Sequence, residues 1–128
     1  MTIKTTYDIN SLCKDLVTLS KKEGLLFSKN IMFFVVYMKS KPIAFFGLKI
    51  MANSAIIKCD YVIKSERGNK LLQKMITFRL NWLRIYKPKI KKVTANTTQM
   101  ATNSHLKSGA KLIKKYNNNI TKVQYEIL

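Results

Sequence analysis

Residues 61–76 read YVIKSERGNKLLQKMI, a pattern that could bind a phosphate group. A β-branched segment leads into a charged turn with one glycine, and leucines at helical spacing follow. The first N–H groups of a helix have no partner inside the helix and, together with the helix dipole, they favour a bound anion. Lys64, Arg67 and Lys70 add positive charge, so this stretch predicts a phosphate contact at the turn.

The positive charge of the whole sequence is unusually large, because 24 Lys and Arg residues against 6 Asp and Glu give a formal net charge of +18. Such a surface binds polyphosphate through the release of counterions, so DNA or RNA is an expected partner. The densest run predicts a nucleic-acid contact at Lys87, Lys89, Lys91 and Lys92. Lysine lacks the planar fork with which arginine reads guanine, so contact with the phosphate backbone is expected. The alternative is a solvated surface that reflects an AT-rich coding genome.

Length and composition limit the classes of protein to which the chain can belong. Its 128 residues fit a single domain, residues 1–128, and 47% apolar residues are enough for a core. The longest apolar runs, 31–38 and 43–48, are far shorter than the roughly 20 residues that span a bilayer, and the N-terminus lacks the apolar segment of a signal peptide. Cys13 and Cys59 do not have metal-ligand spacing. We therefore expect a cytoplasmic protein with no membrane association and no bound metal.

Hydrophobic periodicity divides the chain into ten elements. Apolar residues three and four positions apart predict helices over residues 8–22, 70–86 and 99–107. The first helix has Asp8 as its candidate N-cap and Gly24 just beyond its end. β-branched and aromatic runs between turns predict strands over residues 2–6, 31–38, 42–51, 55–63, 92–97, 110–116 and 120–127. Arg79 falls on the apolar face of the second helix, where we expect its stem to pack in the core with its charge paired or reaching solvent.

Two short motifs of the sequence lie at the same places in the order of helices and strands as two motifs of a known protein family. The first is the turn ERGNK, residues 66–70, between a strand and a helix. The second is ATNSHLKSGA, residues 101–110, which is compared with the pattern Ala-x-x-x-Tyr-x-Lys-x-Gly-Phe. It matches at Ala101, Lys107 and Gly109 and has His105 and Ala110 in place of the tyrosine and the phenylalanine. With the element order, these motifs resemble the GNAT superfamily of acyl-CoA N-acyltransferases over nearly the whole chain.

The resemblance implies an α+β (mixed α/β) domain with a mostly antiparallel mixed sheet flanked by helices. Its fourth and fifth strands, 55–63 and 92–97, are expected to run parallel and to splay apart, forming a cleft for acetyl-CoA or another acyl-CoA. In the family the turn has the form Arg/Gln-x-x-Gly-x-Gly/Ala. If Arg67 is matched to its first residue, Lys70 and Leu72 stand at the positions of the small residues, whereas a match to the following leucines implies a loop about two residues shorter. The implied cofactor contacts are Tyr61, Val62, Ile63, Arg67, Gly68, Asn69, Lys70 and Asn96.

The resemblance also implies two catalytic residues. The family tyrosine at the position of His105 often protonates the departing thiolate, and a histidine, which titrates at about 6.5, can do the same near neutral pH. Alternatively, His105 fills a helix position beside the sheet. Relatives often take a base from the fourth strand, where Asp60 is the one acidic side chain, although Asp60 could instead pair with Lys58 or Lys49 at the surface. No base is identifiable beside Cys59, so direct acyl transfer is expected.

These features predict an N-acyltransferase that acts on an amine. The positive charge favours an amine that belongs to a nucleic acid or to a protein bound to one. The composition also suggests a phage product with a role in DNA modification. One alternative is a catalytically inactive GNAT-shaped protein that binds nucleic acid or a host protein, which the single glycine of the turn favours. Another is a different mixed fold that binds RNA on its sheet, although no aromatic pair has the required pattern.

Overall fold

The computed structural model describes residues 1–127, and all ten predicted elements are present within two residues of their expected bounds. The helices are α1 (Asn10–Lys22), α2 (Leu71–Tyr86) and α3 (Gln99–Lys107). The strands are β1 (Thr2–Thr6), β2 (Met32–Met38), β3 (Lys41–Ile50), β4 (Ser54–Val62), β5 (Lys92–Thr97), β6 (Lys111–Lys115) and β7 (Thr121–Glu126). A short 3-10 helix over Lys64–Glu66, which was not predicted, follows β4.

The strands form one mixed sheet in the order β1-β2-β3-β4-β5-β7-β6. The pairs β1–β2, β2–β3, β5–β7 and β6–β7 are antiparallel. β4 and β5 are parallel neighbours. A crossover is required between two parallel strands, and α2 lies in the segment that provides it. The predicted α+β class, with its mostly antiparallel sheet and one parallel pair, is therefore confirmed.

The start of α1 differs from the prediction. The helix begins at Asn10, and no side chain caps its first N–H groups, so the prediction that Asp8 is the N-cap is wrong. Instead, the Asp8 carbonyl accepts hydrogen bonds from the Ser11 backbone N–H at 3.1 Å and from the Ser11 hydroxyl at 2.7 Å. The Asp8 N–H is bonded to the Thr6 hydroxyl oxygen at 2.9 Å, which fixes the turn between β1 and α1.

Packing divides the chain into two compact units. The N-terminal unit consists of Met1–Lys49 and Lys58–Asn69, and the C-terminal unit consists of Ile50–Ile57 and the chain from Lys70 onward. In the N-terminal unit, α1 buries Leu16 and Val17 in a core shared with β2, β3 and β4. Aromatic rings dominate that core, with Phe33 and Phe45 edge to face at 5.5 Å.

Candidate functional site

The second half of β4, in the N-terminal unit, departs from regular strand geometry at Cys59. This residue has a φ of +60°, a left-handed conformation that is costly for a side chain larger than glycine. Opposite the irregularity lies Gly47, where a Cβ atom would come within 2.2 Å of the Lys58 carbonyl oxygen. Only glycine therefore fits at position 47 without a shift of the backbone.

Asp60 is the predicted base, and the irregular strand gives its carboxylate a fixed partner. The Gly47 N–H donates a hydrogen bond to Asp60 Oδ1 at 3.1 Å, and the side chain is half-buried. A backbone donor on a rigid strand holds a carboxylate in one orientation. The structure thus places the predicted base on β4 beside a backbone N–H group of β3.

The Cys59 thiol does not have the environment of a nucleophile. It is buried, and Sγ donates a weak hydrogen bond to the Leu26 carbonyl at 3.4 Å. Burial raises the pKa of this thiol, which disfavours the reactive thiolate. Cys59 therefore acts as a small buried residue of the hydrophobic core.

A cluster that the sequence did not predict joins the end of α1 to the turn after β4. It consists of Glu23, Tyr61 and Arg67, and we refer to it as the Glu23 cluster. The Tyr61 hydroxyl donates to Glu23 Oε2, and Arg67 Nη2 donates to Glu23 Oε1 at 2.8 Å. Arg67 Nε donates to the Val62 carbonyl at 2.8 Å, and the guanidinium lies 5.5 Å from the centroid of the Tyr61 ring. Arg67, predicted as a phosphate contact, is therefore also the residue that closes this turn.

The protonation states within the Glu23 cluster follow from these contacts. The hydrogen bond from Tyr61, followed by the hydrogen bond and charge of Arg67, lowers the pKa of the Glu23 carboxyl. Burial, and then the hydrogen bond to Glu23, raises the pKa of the Tyr61 phenol. At neutral pH the cluster therefore contains an ionised carboxylate that accepts from a protonated tyrosine and a charged arginine.

Replacement of Glu23 should weaken the contact between the end of α1 and the turn after β4. Because Tyr61 is buried and would lose its acceptor, we expect Glu23→Ala to lower the melting temperature by a few degrees and Glu23→Gln to lower it by less. The difference between the parent and Glu23→Ala should be present above the ordinary glutamate pKa of about 4.3 and should disappear as the pH falls through the lowered folded-state pKa. Thermal unfolding followed by circular dichroism at several pH values measures both effects.

Glu66 provides the matched control for this prediction. It is a half-buried glutamate of the same turn, and its carboxylate is 3.5 Å from the Asn69 amide. Glu66→Ala should leave the melting temperature nearly unchanged at every pH. Equal losses in the Glu23 and Glu66 variants would mean that the Glu23 cluster contributes no more than general surface charge.

Two other predicted turn residues, Gly68 and Lys70, have a positive φ, which few residue types favour. Gly68 has a φ of +86°, which explains the glycine, and Lys70 has a φ of +60°. Lys70 precedes the first residue of α2, and no side chain caps that helix start. Backbone N–H groups at such an uncapped start can accept an anion as a partner.

In the C-terminal unit, the parallel ladder between β4 and β5 ends before β5 does. Its last pair is Ile57 with Ala95, whereas β5 continues through Asn96 to Thr97. On its other side β5 remains paired with β7 as far as Thr97 and Thr121. Asn96 is exposed. The predicted cofactor residue on β5 therefore lies beyond the end of the parallel pairing.

His105 lies on α3 in the C-terminal unit and is only 3% exposed. Its Nδ1 atom is 2.6 Å from the hydroxyl of Tyr125 on β7, and the same hydroxyl donates to the His105 carbonyl at 3.3 Å. Gly109, with a φ of +104°, ends the helix so that the Ala110 N–H reaches the His105 carbonyl at 3.1 Å. Sequence reasoning identified His105 and Gly109 but gave no signal for Tyr125, whose partner is 20 residues away.

The predicted nucleic-acid residues lie at the other end of β5. Lys87, Lys89, Lys91 and Lys92 are all exposed between the end of α2 and the first residue of β5. They are separated from Asn96 by most of that strand. Arg79, on the buried face of α2, is fully buried, and its Nε donates to the Met75 carbonyl at 3.2 Å, as the prediction of a core position required.

Residues 1–127 contain neither a cluster of metal ligands nor a helix that could span a membrane. No group of three or more His, Cys, Asp or Glu side chains in this range is arranged to hold a metal ion. No helix in the same range is both long enough and apolar enough to cross a bilayer.

No protein-family model and no curated protein matches the sequence. Solved structures do match. An aminoglycoside 6'-N-acetyltransferase from Enterococcus faecium has a TM-score of 0.76 at 11% identity, covering 100% of this chain and 98% of that protein. An N-acetyltransferase from Staphylococcus aureus has a TM-score of 0.72 at 15% identity, with coverage of 98% and 97%. The PaiA N-acetyltransferase from Thermoplasma acidophilum, in complex with coenzyme A, has a TM-score of 0.68 at 13% identity, with coverage of 98% and 99%.

These likenesses extend over nearly the full length of both proteins in each comparison. At such low identities they establish the fold and leave the chemistry to be argued from the residues. The chain has the fold of the GNAT N-acetyltransferases, as the sequence predicted.

Proposed function

We propose that the protein is an N-acyltransferase that transfers an acetyl or another acyl group from acyl-CoA directly to an amine. The observation that carries this proposal is the full-length likeness to N-acetyltransferases, one of which was solved in complex with coenzyme A. Fold alone does not define an activity. The proposal therefore also rests on the residues at the positions that the family uses.

The turn after β4 and its flanking residues are proposed to hold coenzyme A. Lys64, Arg67 and Lys70 provide positive charge suited to a diphosphate, and the first N–H groups of α2 have no capping side chain. The proposed contacts are Tyr61, Val62, Ile63, Arg67, Gly68, Asn69, Lys70 and Asn96.

Asp60 and His105 are the proposed catalytic residues. The thioester of acyl-CoA would supply an activated acyl group. Asp60 accepts the proton of the amine, directly or through a water molecule, as the amine nitrogen bonds to the acyl carbon and the carbon–sulfur bond breaks. His105 gives a proton to the departing thiolate sulfur. The hydrogen bond from Gly47 to Asp60 and the contact of Tyr125 with His105 fix both groups in orientation, which supports these roles.

The acceptor amine is proposed to belong to a nucleic acid or to a protein bound to one. The net charge of +18 supports this assignment, since it would bring the protein to polyphosphate. A role in DNA modification, a phage origin and a cytoplasmic location stay predictions from the sequence.

A second candidate function is binding without catalysis. It is favoured by the turn itself, which has one glycine and has Lys70 and Leu72 at the two positions where the family has small residues. Bulky side chains at those positions would restrict the approach of a diphosphate to the backbone. A GNAT-shaped protein of this kind would bind nucleic acid or a host protein.

Transfer of a radiolabelled acetyl group distinguishes the two candidates. The protein is incubated with labelled acetyl-CoA in four separate reactions, each of which contains one acceptor. The acceptors are single-stranded DNA, RNA, a lysine-containing peptide and a polyamine. The proposal predicts label in at least one acceptor together with release of an equal amount of free thiol. Absence of label from every acceptor, when coenzyme A is shown to bind, would overturn catalysis and leave the second candidate.

A further inference from the structure

The net positive charge is larger in the C-terminal unit, because five of the six acidic residues lie in the N-terminal unit. The C-terminal unit carries 13 of the 24 Lys and Arg residues and one of the 6 acidic residues, Glu126, so its net charge is +12. The N-terminal unit carries the other 11 basic and 5 acidic residues and has a net charge of +6. Uniform enrichment in lysine would not remove acidic residues from one unit alone. The asymmetry therefore points to a polyanion partner for the C-terminal unit.

Hydrogen bonds hold the backbone of the lysine run that follows α2. The Ile90 N–H donates to the Lys87 carbonyl at 3.0 Å, and the Ile90 side chain is only 2% exposed. The Lys91 N–H donates to the Asn53 carbonyl at 3.3 Å, and the Lys91 carbonyl accepts from the Ile127 N–H at 2.8 Å. Because this backbone is already ordered, a ligand would need to order only the lysine side chains.

An exposed aromatic ring lies directly beside these lysines. Tyr86 is the last residue of α2 and is 63% exposed, although a large apolar ring is more stable when covered. Its ring lies 5.3 Å from that of half-buried Trp82, one helical turn earlier. Trp82 thus supports one side of the Tyr86 ring and leaves much of the ring exposed to solvent.

Aromatic side chains among lysines are the features with which proteins hold single-stranded nucleic acid. Unpaired bases stack on aromatic rings, whereas the bases of a duplex are already stacked on one another. Lysine contacts phosphates without reading base edges. Lys92 is the least suited of the run, because it lies opposite Glu126 in the ladder between β5 and β7.

We propose that Tyr86, Lys87, Lys89 and Lys91, which we call the α2–β5 surface, bind single-stranded nucleic acid of any sequence. The lysines contact the phosphates and a base stacks on the Tyr86 ring. This inference rests on the proposed function only in its choice of a nucleic-acid partner. Binding at this surface requires neither coenzyme A nor acyl transfer.

Fluorescence anisotropy with labelled oligothymidylate and a labelled DNA duplex of equal length tests the stacking contact. Tyr86→Ala should weaken oligothymidylate binding about 5- to 150-fold, the effect of losing one stacked base, and should change duplex binding little. Tyr86→Phe keeps the ring and should keep the parental affinity. The neighbouring Ile85, which is 69% exposed, provides the control, and Ile85→Ala should change neither affinity.

The inference is overturned if Tyr86→Ala binds oligothymidylate as tightly as the parent, or if Ile85→Ala loses as much affinity. Equal losses on the single strand and the duplex would likewise contradict stacking. Stabilisation of each variant by coenzyme A is measured in parallel and should be unchanged. A parent that binds the oligonucleotide but not coenzyme A would retain this inference and remove the proposed enzyme.

Discussion

Replacement of His105 by alanine is expected to lower the turnover of acyl transfer by about 10²–10⁴-fold while leaving the affinity for coenzyme A nearly unchanged. An imidazole titrates near neutral pH and can give its proton to the thiolate, whereas alanine leaves protonation to solvent. The ring is held through Nδ1, 2.6 Å from the Tyr125 hydroxyl, so its orientation does not have to be organised during the reaction. Steady-state kinetics with acetyl-CoA measure kcat and KM separately.

Because His105 is buried, the alanine variant would also lose stability, and a second variant must separate the two effects. His105→Gln retains a side-chain amide that can bond to Tyr125 but has no titrating group. Its melting temperature should lie close to that of the parent, and its turnover should be as low as that of His105→Ala. If His105→Gln turned over at the parental rate, the histidine would be part of the scaffold and the proton would have another source.

Replacement of Lys87, Lys89, Lys91 and Lys92 by glutamine should weaken oligothymidylate binding by up to about a hundred-fold near 0.1 M salt, since three of the four are proposed phosphate contacts. For single strands, the slope of log affinity against log salt falls by about 0.7 for each phosphate contact that is lost. Loss of the three proposed contacts, at Lys87, Lys89 and Lys91, would therefore flatten the slope by about 2.1. Anisotropy titrations at several salt concentrations give both the affinity and the slope.

A second set of four lysines in the same unit controls for the change in net charge. Lys111, Lys114, Lys115 and Lys122 lie on β6 and β7. Their replacement by glutamine removes the same charge and should change the slope far less. Equal slopes in the two variants would mean that the charge acts diffusely and that the run before β5 is ordinary solvated surface.

The secondary structure was predictable because local signals marked most elements. α3 and β5 have the predicted bounds, and Gly109 has the positive φ that ends a helix. The side chains of β4 alternate between buried and half-buried along its whole length, as a period of two requires. This alternation persists through the left-handed residue Cys59, so it gave no sign of the irregularity there.

The contacts that define the candidate site were less predictable because they join distant parts of the chain. Glu23 and Arg67 are 44 residues apart, and Glu23 stood in the sequence only as a residue near the end of a helix. The requirement for glycine at position 47 likewise depends on the Lys58 carbonyl, which contacts it only in the folded chain. Composition revealed that the chain is basic. The division of the structure into two units was needed to show that most of the net charge belongs to the C-terminal unit.

Coenzyme A binding is the central claim, and thermal unfolding with and without ligand tests it most directly. Coenzyme A and acetyl-CoA should each raise the melting temperature, and a concentration of 100 times Kd should stabilise the folded state by about 2.7 kcal/mol. Pantetheine, which lacks the diphosphate and the nucleotide, should produce little shift at the same concentration. An unchanged melting temperature with both coenzyme A and acetyl-CoA would contradict the account.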